Sequence, residues 1–205
     1  LYDAALDVAP FEESLAARVD PTLDDGADED DDRADSPVGI VTASPHSLPD
    51  ALERVAEYAD PGVDVYVCDL CPDDDGTVEV VADVVDRADA VRWFDHHQWD
   101  DAVADAVREA GVDLVVGASD EECTADVALR SLDHAFGDRW TELAAVTRDH
   151  DLWIKEDPRS DDLADYSYWS GSEEYATIVG AYGADLPEPV RSFVAERRVE
   201  KEARI

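Results

Sequence analysis

Between Val38 and Gly117 short apolar runs alternate with longer amphipathic stretches, and that alternation leaves few folds open to the chain. Val38-Gly39-Ile40-Val41-Thr42, Val63 to Cys68, Val91 to Phe94 and Leu114-Val115-Val116 each read as a short buried strand. Between them Leu48 to Tyr58, Thr77 to Arg87 and Asp100 to Ala110 read as helices. In the first helix Leu52, Val55 and Ala56 fall on one face, the spacing a packed helix requires. Short strands separated by helices are the mark of βαβ units. The expected fold is therefore α/β, a parallel β-sheet with helices on both faces. From Thr124 onward the pattern turns helical, over Thr124 to Phe136, Trp140 to Arg148, Glu173 to Tyr182 and a last helix from Pro187. A helical C-terminal part is expected, and there is no internal repeat.

Charge narrows what such a fold can do. Against 53 acidic residues stand 16 basic ones, for a formal charge of −37, and only Lys155 and Lys201 are lysines. A surface so acidic and lysine-poor suits molar salt, where screening shrinks to about 3 Å and self-repulsion becomes tolerable. A halophilic setting is expected. A general basic footprint for nucleic acid is absent, so any phosphate-bearing substrate must be held locally, by metal ions or a few arginines. No run approaches the roughly 18 apolar residues of a membrane span, and no cleavable leader is visible. Three cysteines, Cys68, Cys71 and Cys123, point to a reduced, cytoplasmic compartment. Cys68 and Cys71 have C-x-x-C spacing, but neighbouring aspartates should raise their thiol pKa values, and zinc would need two further ligands. Leu23 to Asp35 (LDDGADEDDDRAD) is expected to be a solvated, disordered acidic loop.

The chemistry concentrates at strand ends. In open parallel sheets ligands bind at the carboxyl ends of the strands. Asp69 follows one predicted strand directly, and Asp95-His96-His97 follows another. Asp149 and Asp151 lie in Thr147-Arg148-Asp149-His150-Asp151-Leu152-Trp153, just past a predicted helix, where a connection brings Asp149 over the same edge. Carboxylates with an imidazole form a hard donor set, suited to Mn²⁺ or Mg²⁺ rather than to structural zinc. A lone histidine is usually structural, so His46, His134 and His150 gain no role by themselves; the adjacent His96-His97 pair does.

Taken in order, Val67-Cys68-Asp69-Leu70, Phe94-Asp95-His96-His97, the small-residue helix start Glu122-Cys123-Thr124-Ala125, and Arg148-Asp149-His150-Asp151-Leu152-Trp153 resemble four successive elements of the DHH phosphoesterase superfamily. That superfamily includes RecJ-like single-strand exonucleases, oligonucleotide and cyclic-nucleotide phosphodiesterases, and family II inorganic pyrophosphatases. The last element is most similar to the oligoribonuclease and phosphodiesterase branch. The resemblance implies that Asp69 bridges two Mn²⁺ ions, that His96 and Asp149 bind them, and that Mg²⁺ is the alternative ion. It further implies that His97 faces the substrate phosphate and that Asp95 orients the imidazoles.

One departure qualifies the resemblance. The family's first motif, a histidine with aspartates after the first strand, has no counterpart, because no histidine precedes His46. The chain contains no methionine, and Leu1 to Val8 reads as an uncapped helix tail, so it is expected to begin inside a longer polypeptide. Residues 1–186 are then a catalytic domain lacking its first strand and first motif, and 187–205 a linker helix toward a further domain. The expected function is two-metal hydrolysis of phosphodiester bonds in short oligonucleotides or small nucleotides. A RecJ-like exonuclease and a non-catalytic interaction module are the alternatives. The expected partners are a phosphate-bearing small substrate or a short single-stranded nucleic acid, with no membrane, and with room for a homodimer.

Overall fold

The computed structural model describes residues 39–72 and 76–203. The expected helix tail over residues 1–8 and the acidic loop over 23–35 lie outside the described residues. The chain divides into two compact units, one built on Val41–Gly137 with Asp151–Trp153, the other on residues 138–150 and 154–203.

The first unit is the α/β one. A single 3₁₀ turn, Pro45–Ser47, is capped reciprocally by Ser44 and Ser47 and leads into α1 (Leu48–Tyr58). There follow β1 (Asp64–Cys68), α2 (Gly76–Arg87), β2 (Ala90–Asp95), α3 (Asp101–Glu109), β3 (Asp113–Val116) and α4 (Thr124–Ser131). The strands form a three-stranded parallel sheet in the order β1-β2-β3, with Asp64 opposite Ala90 and Arg92 opposite Asp113. A parallel α/β arrangement is what the alternation of short strands and helices calls for.

Burial sorts the strands. The central strand β2 contributes Val91 and Trp93 to a core with Leu48 and Leu52 of α1, Val81 and Val84 of α2, and Val107 of α3. The indole of Trp93 is wholly buried, and its N–H donates to the Leu70 carbonyl at 2.8 Å, so its polar end is satisfied inside the core. The Asp100 carboxylate caps α3 by accepting from the Ala102 and Val103 N–H groups. Past β3, Gly117 donates its N–H to the Asp95 carbonyl at 2.8 Å, and a Cβ there would lie 2.5 Å from a methyl of buried Val127. Only glycine fits.

The expected strand at Val38–Thr42 is not formed over its described part, residues 39–42. Ile40 and Val41 are about half exposed, at 48% and 46%. Apolar β-branched residues favour a strand only where a neighbouring strand pairs with them, and among the described residues the sheet consists of β1, β2 and β3.

The second unit is helical, with α5 (Asp138–Asp151) through His150, α6 (Pro158–Trp169), α7 (Ser172–Tyr182) and α8 (Glu188–Glu202). Val146, Leu163, Tyr166, Ile178, Val190, Phe193 and Val194 form its core. The helix α8, expected as a linker, buries Val190, Phe193 and Val194 here, while Arg198 pairs with Asp162 and Asp165 of α6. The helix α6 has no counterpart among the elements expected from the sequence. Its start is set by Asp157, which accepts from the Arg159 N–H, and by Pro158 at the first helical position.

Two helix ends also differ from expectation. The helix α4 stops at Ser131 rather than Phe136, because Leu132 turns extended. The helix α5 runs on to Asp151 rather than ending at Arg148, so Asp149 and Asp151 lie within the helix and not beyond it. Its end is closed by the Ile154 N–H on the Asp149 carbonyl at 3.0 Å, a Schellman cap. Trp153, at φ 54°, holds the left-handed position that glycine usually fills in such a cap. Among the described residues no helix is long and apolar enough to cross a membrane.

Candidate metal centre

The carboxyl ends of β1 and β2 lie side by side because the two strands are parallel neighbours. Asp69 leaves β1 in the left-handed region at φ 62°, while its N–H still donates to the Phe94 carbonyl at 3.0 Å. The backbone thus turns sharply while the pairing with β2 continues for one more residue. Aspartate tolerates that conformation better than most side chains. Asp69, His96 and His97 each offer a ligand atom, and these atoms all lie within 4.8 Å of one another.

His96 is buried, at 6% exposure, between two carboxylates. Its Nε2 lies 3.6 Å from Asp69 Oδ1 and 3.1 Å from Asp151 Oδ2. Its other nitrogen, Nδ1, is buried with no hydrogen-bond partner. A buried polar atom left in that state is uncommon and calls for an explanation. Asp69 is steadied from the far side by the Thr124 hydroxyl at the start of α4, which donates to Oδ1 at 2.8 Å.

Asp95 plays a different part. It is fully buried, and both its oxygens are engaged, Oδ1 with His97 Nδ1 at 2.7 Å and Oδ2 with the Trp99 indole N–H at 2.7 Å. Trp99 is itself fixed edge-on against Trp93, with ring centroids 5.2 Å apart. The carboxylate therefore holds the His97 ring in one orientation and leaves its Nε2 for other partners. Partial burial draws the His97 pKa down. The hydrogen bond from Asp95 and the negative charges of Asp95, Asp69 and Asp151 outweigh it, so the value lies above the ordinary histidine range.

The thiols do not join this chemistry. Desolvation around the sulphur, together with the charges of Asp69 and Asp95, raises the Cys68 pKa, and burial pushes that of Cys123 up to about 12. Thiolates are disfavoured at both positions.

Of the residues singled out in the sequence, Asp69, Asp95, His96 and His97 meet in the α/β unit. Asp149 belongs to the helical unit, where its buried carboxylate accepts from the Glu156 N–H at 2.8 Å. Neighbouring Ser160, then the Glu156 and Asp157 N–H groups, hold its pKa below the usual carboxylate range, although the Ser160 hydroxyl does not reach hydrogen-bond geometry. The carboxylate beside His96 is that of Asp151, two residues on. Thr124 and Trp99 also support the site without having been singled out for it. Nothing local in the sequence marks either one, since each acts across a tertiary contact. The chain matches no protein-family model, no curated protein and no solved structure.

Proposed function

We propose that this protein is a divalent-metal phosphodiesterase acting on short oligonucleotides or small nucleotides. The observation that carries the reading is the meeting of Asp69, His96, His97 and Asp151 at the carboxyl ends of parallel strands. The donor set fits a hard cation such as Mn²⁺ or Mg²⁺, being two carboxylates and an imidazole. The Nε2 of buried His96 faces both carboxylates, which sets all three donors toward one point.

Asp69, His96 and Asp151 would hold the metal, and Asp149, which the family resemblance brings in, is the further carboxylate proposed. When bound, a pair of divalent ions supplies a water of lowered pKa, a fixed line of attack on phosphorus and charge neutralisation at the phosphoryl oxygens. The remaining steps fall to the protein's own side chains. Asp95 fixes the His97 ring by accepting from its Nδ1, so that Nε2 can face the departing oxygen. Held this way, a protonated imidazole would have Nε2–H free to donate to a leaving alkoxide. A chain carrying a charge of −37 repels long polyanions, which favours small phosphoesters held by metal over extended nucleic acid.

The test is Mn²⁺-dependent hydrolysis of a dinucleotide in molar KCl. His96→Ala should abolish turnover while leaving the circular dichroism spectrum unchanged. Equal rates for wild type and His96→Ala would end the proposal. Asp151→Asn and Asp149→Asn, assayed side by side for Mn²⁺ affinity, separate the two carboxylates: the ligand's variant loses more than the roughly 10- to 100-fold that an outer-shell partner costs.

A further inference from the structure

Trp153 combines two features that folding alone disfavours. Its backbone is left-handed at φ 54°, a conformation that is a genuine outlier for a bulky residue. Its side chain is 78% exposed, the most exposed of the large hydrophobic residues described. Glycine would satisfy the same cap without backbone strain. A tryptophan in that position presents an exposed indole on a left-handed turn, a combination that points to function.

Its location suggests the use. Trp153 belongs to the α/β unit and follows Asp151 by two residues. Two peptide units cannot separate the two Cα atoms by more than about 7 Å. Asp151 in turn lies 3.1 Å from His96. The Trp153 backbone is therefore tethered close to Asp151 of the carboxylate–imidazole cluster, on a chain turn closed by backbone hydrogen bonds.

We propose that Trp153 is a nucleobase-stacking residue, the group on which the site receives the base of its nucleotide substrate. This rests on the phosphoester reading of the cluster given above. A flat indole face offers every base a stacking surface irrespective of sequence, and such a contact suits an acidic protein because it needs no positive charge. The phosphate would be held at the Asp69–His96–Asp151 end and the base on the indole, with the sugar spanning the gap.

The experiment is calorimetric binding of AMP and of ribose 5-phosphate in molar KCl with Mn²⁺. Ligand pairs that differ only in the base isolate the stacking contact from the phosphate contact. Wild type should bind AMP about tenfold more tightly, or better, than ribose 5-phosphate. In Trp153→Gly, which the cap geometry accommodates, the two affinities should converge, and Trp153→Phe should keep most of the preference. Equal affinities in wild type, or an AMP preference that survives Trp153→Gly, would overturn the assignment while leaving the metal site standing. If wild type binds neither compound, the phosphoester reading itself fails and the assignment falls with it.

Discussion

Two groups of acidic side chains, one in each unit, are held in opposite ways. In the helical unit, carboxylates are gathered by guanidinium groups: Arg159 pairs with Asp157, Glu142 and Asp185, and Arg198 with Asp162 and Asp165. In the α/β unit, Asp69 is met by the Thr124 hydroxyl and the His96 ring, and Asp95 by the His97 ring and the Trp99 indole. The first pattern sets two guanidinium groups among five carboxylates, each of them ion-paired. The second orients carboxylates with a hydroxyl, an indole and two imidazole rings in place of guanidinium groups. In a chain this acidic, the kind of partner a carboxylate has tells more about its role than its burial does.

Mutations should break that contrast in a definite order. Asp95→Ala removes both hydrogen bonds of a fully buried carboxylate and leaves the Trp99 N–H unpaired, which should lower unfolding free energy by about 3 kcal/mol. Urea titration in molar KCl measures it, and a loss below about 1 kcal/mol would mean that the pair does not organise the site. Gly117→Ala should cost about 2 kcal/mol, because the added methyl meets fully buried Val127 and cannot be relieved cheaply. By comparison Glu200→Ala, which breaks an i,i+3 pair with Arg197 on α8, should change stability by less than about 0.5 kcal/mol. If the last two were equal, the packing at the end of β3 would be looser than described.

Titration sharpens the same contrast. The His97 pKa is raised in the folded chain, so its contribution to stability is complete below about pH 6.5 and fades as pH climbs through the raised value. Asp157 behaves in reverse. The Arg159 hydrogen bond holds its pKa below 3.8, so its contribution is present above that value and is lost as pH falls through the lowered one. Measured without divalent ions, the stability gap between wild type and His97→Gln should narrow toward alkaline pH. The gap between wild type and Asp157→Asn should narrow toward acid. Slopes of the same sign would contradict the assignment of partners.

Much of the α/β unit was legible because its periodicities are strong. The expected helix at Leu48 to Tyr58 is observed with those bounds, and the strands containing Val67 and Trp93 lie where their apolar runs place them. The helix α6 was not legible, since Leu163, Tyr166 and Trp169 are spread among serines and aspartates and form no clear stripe. Its start was marked all the same by Asp157-Pro158, a cap followed by a proline at the first turn. For the site, the Asp95-His96-His97 run and the strand-end position of Asp69 could be read directly from the chain. The pairing of His96 with Asp151 could not, because it depends on how far α5 continues past Val146. The apolar face ends at that valine, whereas the helix is carried to Asp151 by its Schellman cap.

The register of the sheet also sets how much chain each contact must close. Asp64 and Ala90, like Arg92 and Asp113, are separated along the chain by a single crossover helix, so each strand finds its neighbour through a short loop. Asp151 reaches His96 only after α3, β3, α4 and α5 have been traversed. The cluster at the sheet edge thus closes a chain loop about twice as long as a strand pairing does, at an extra entropic cost of only about 0.6 kcal/mol.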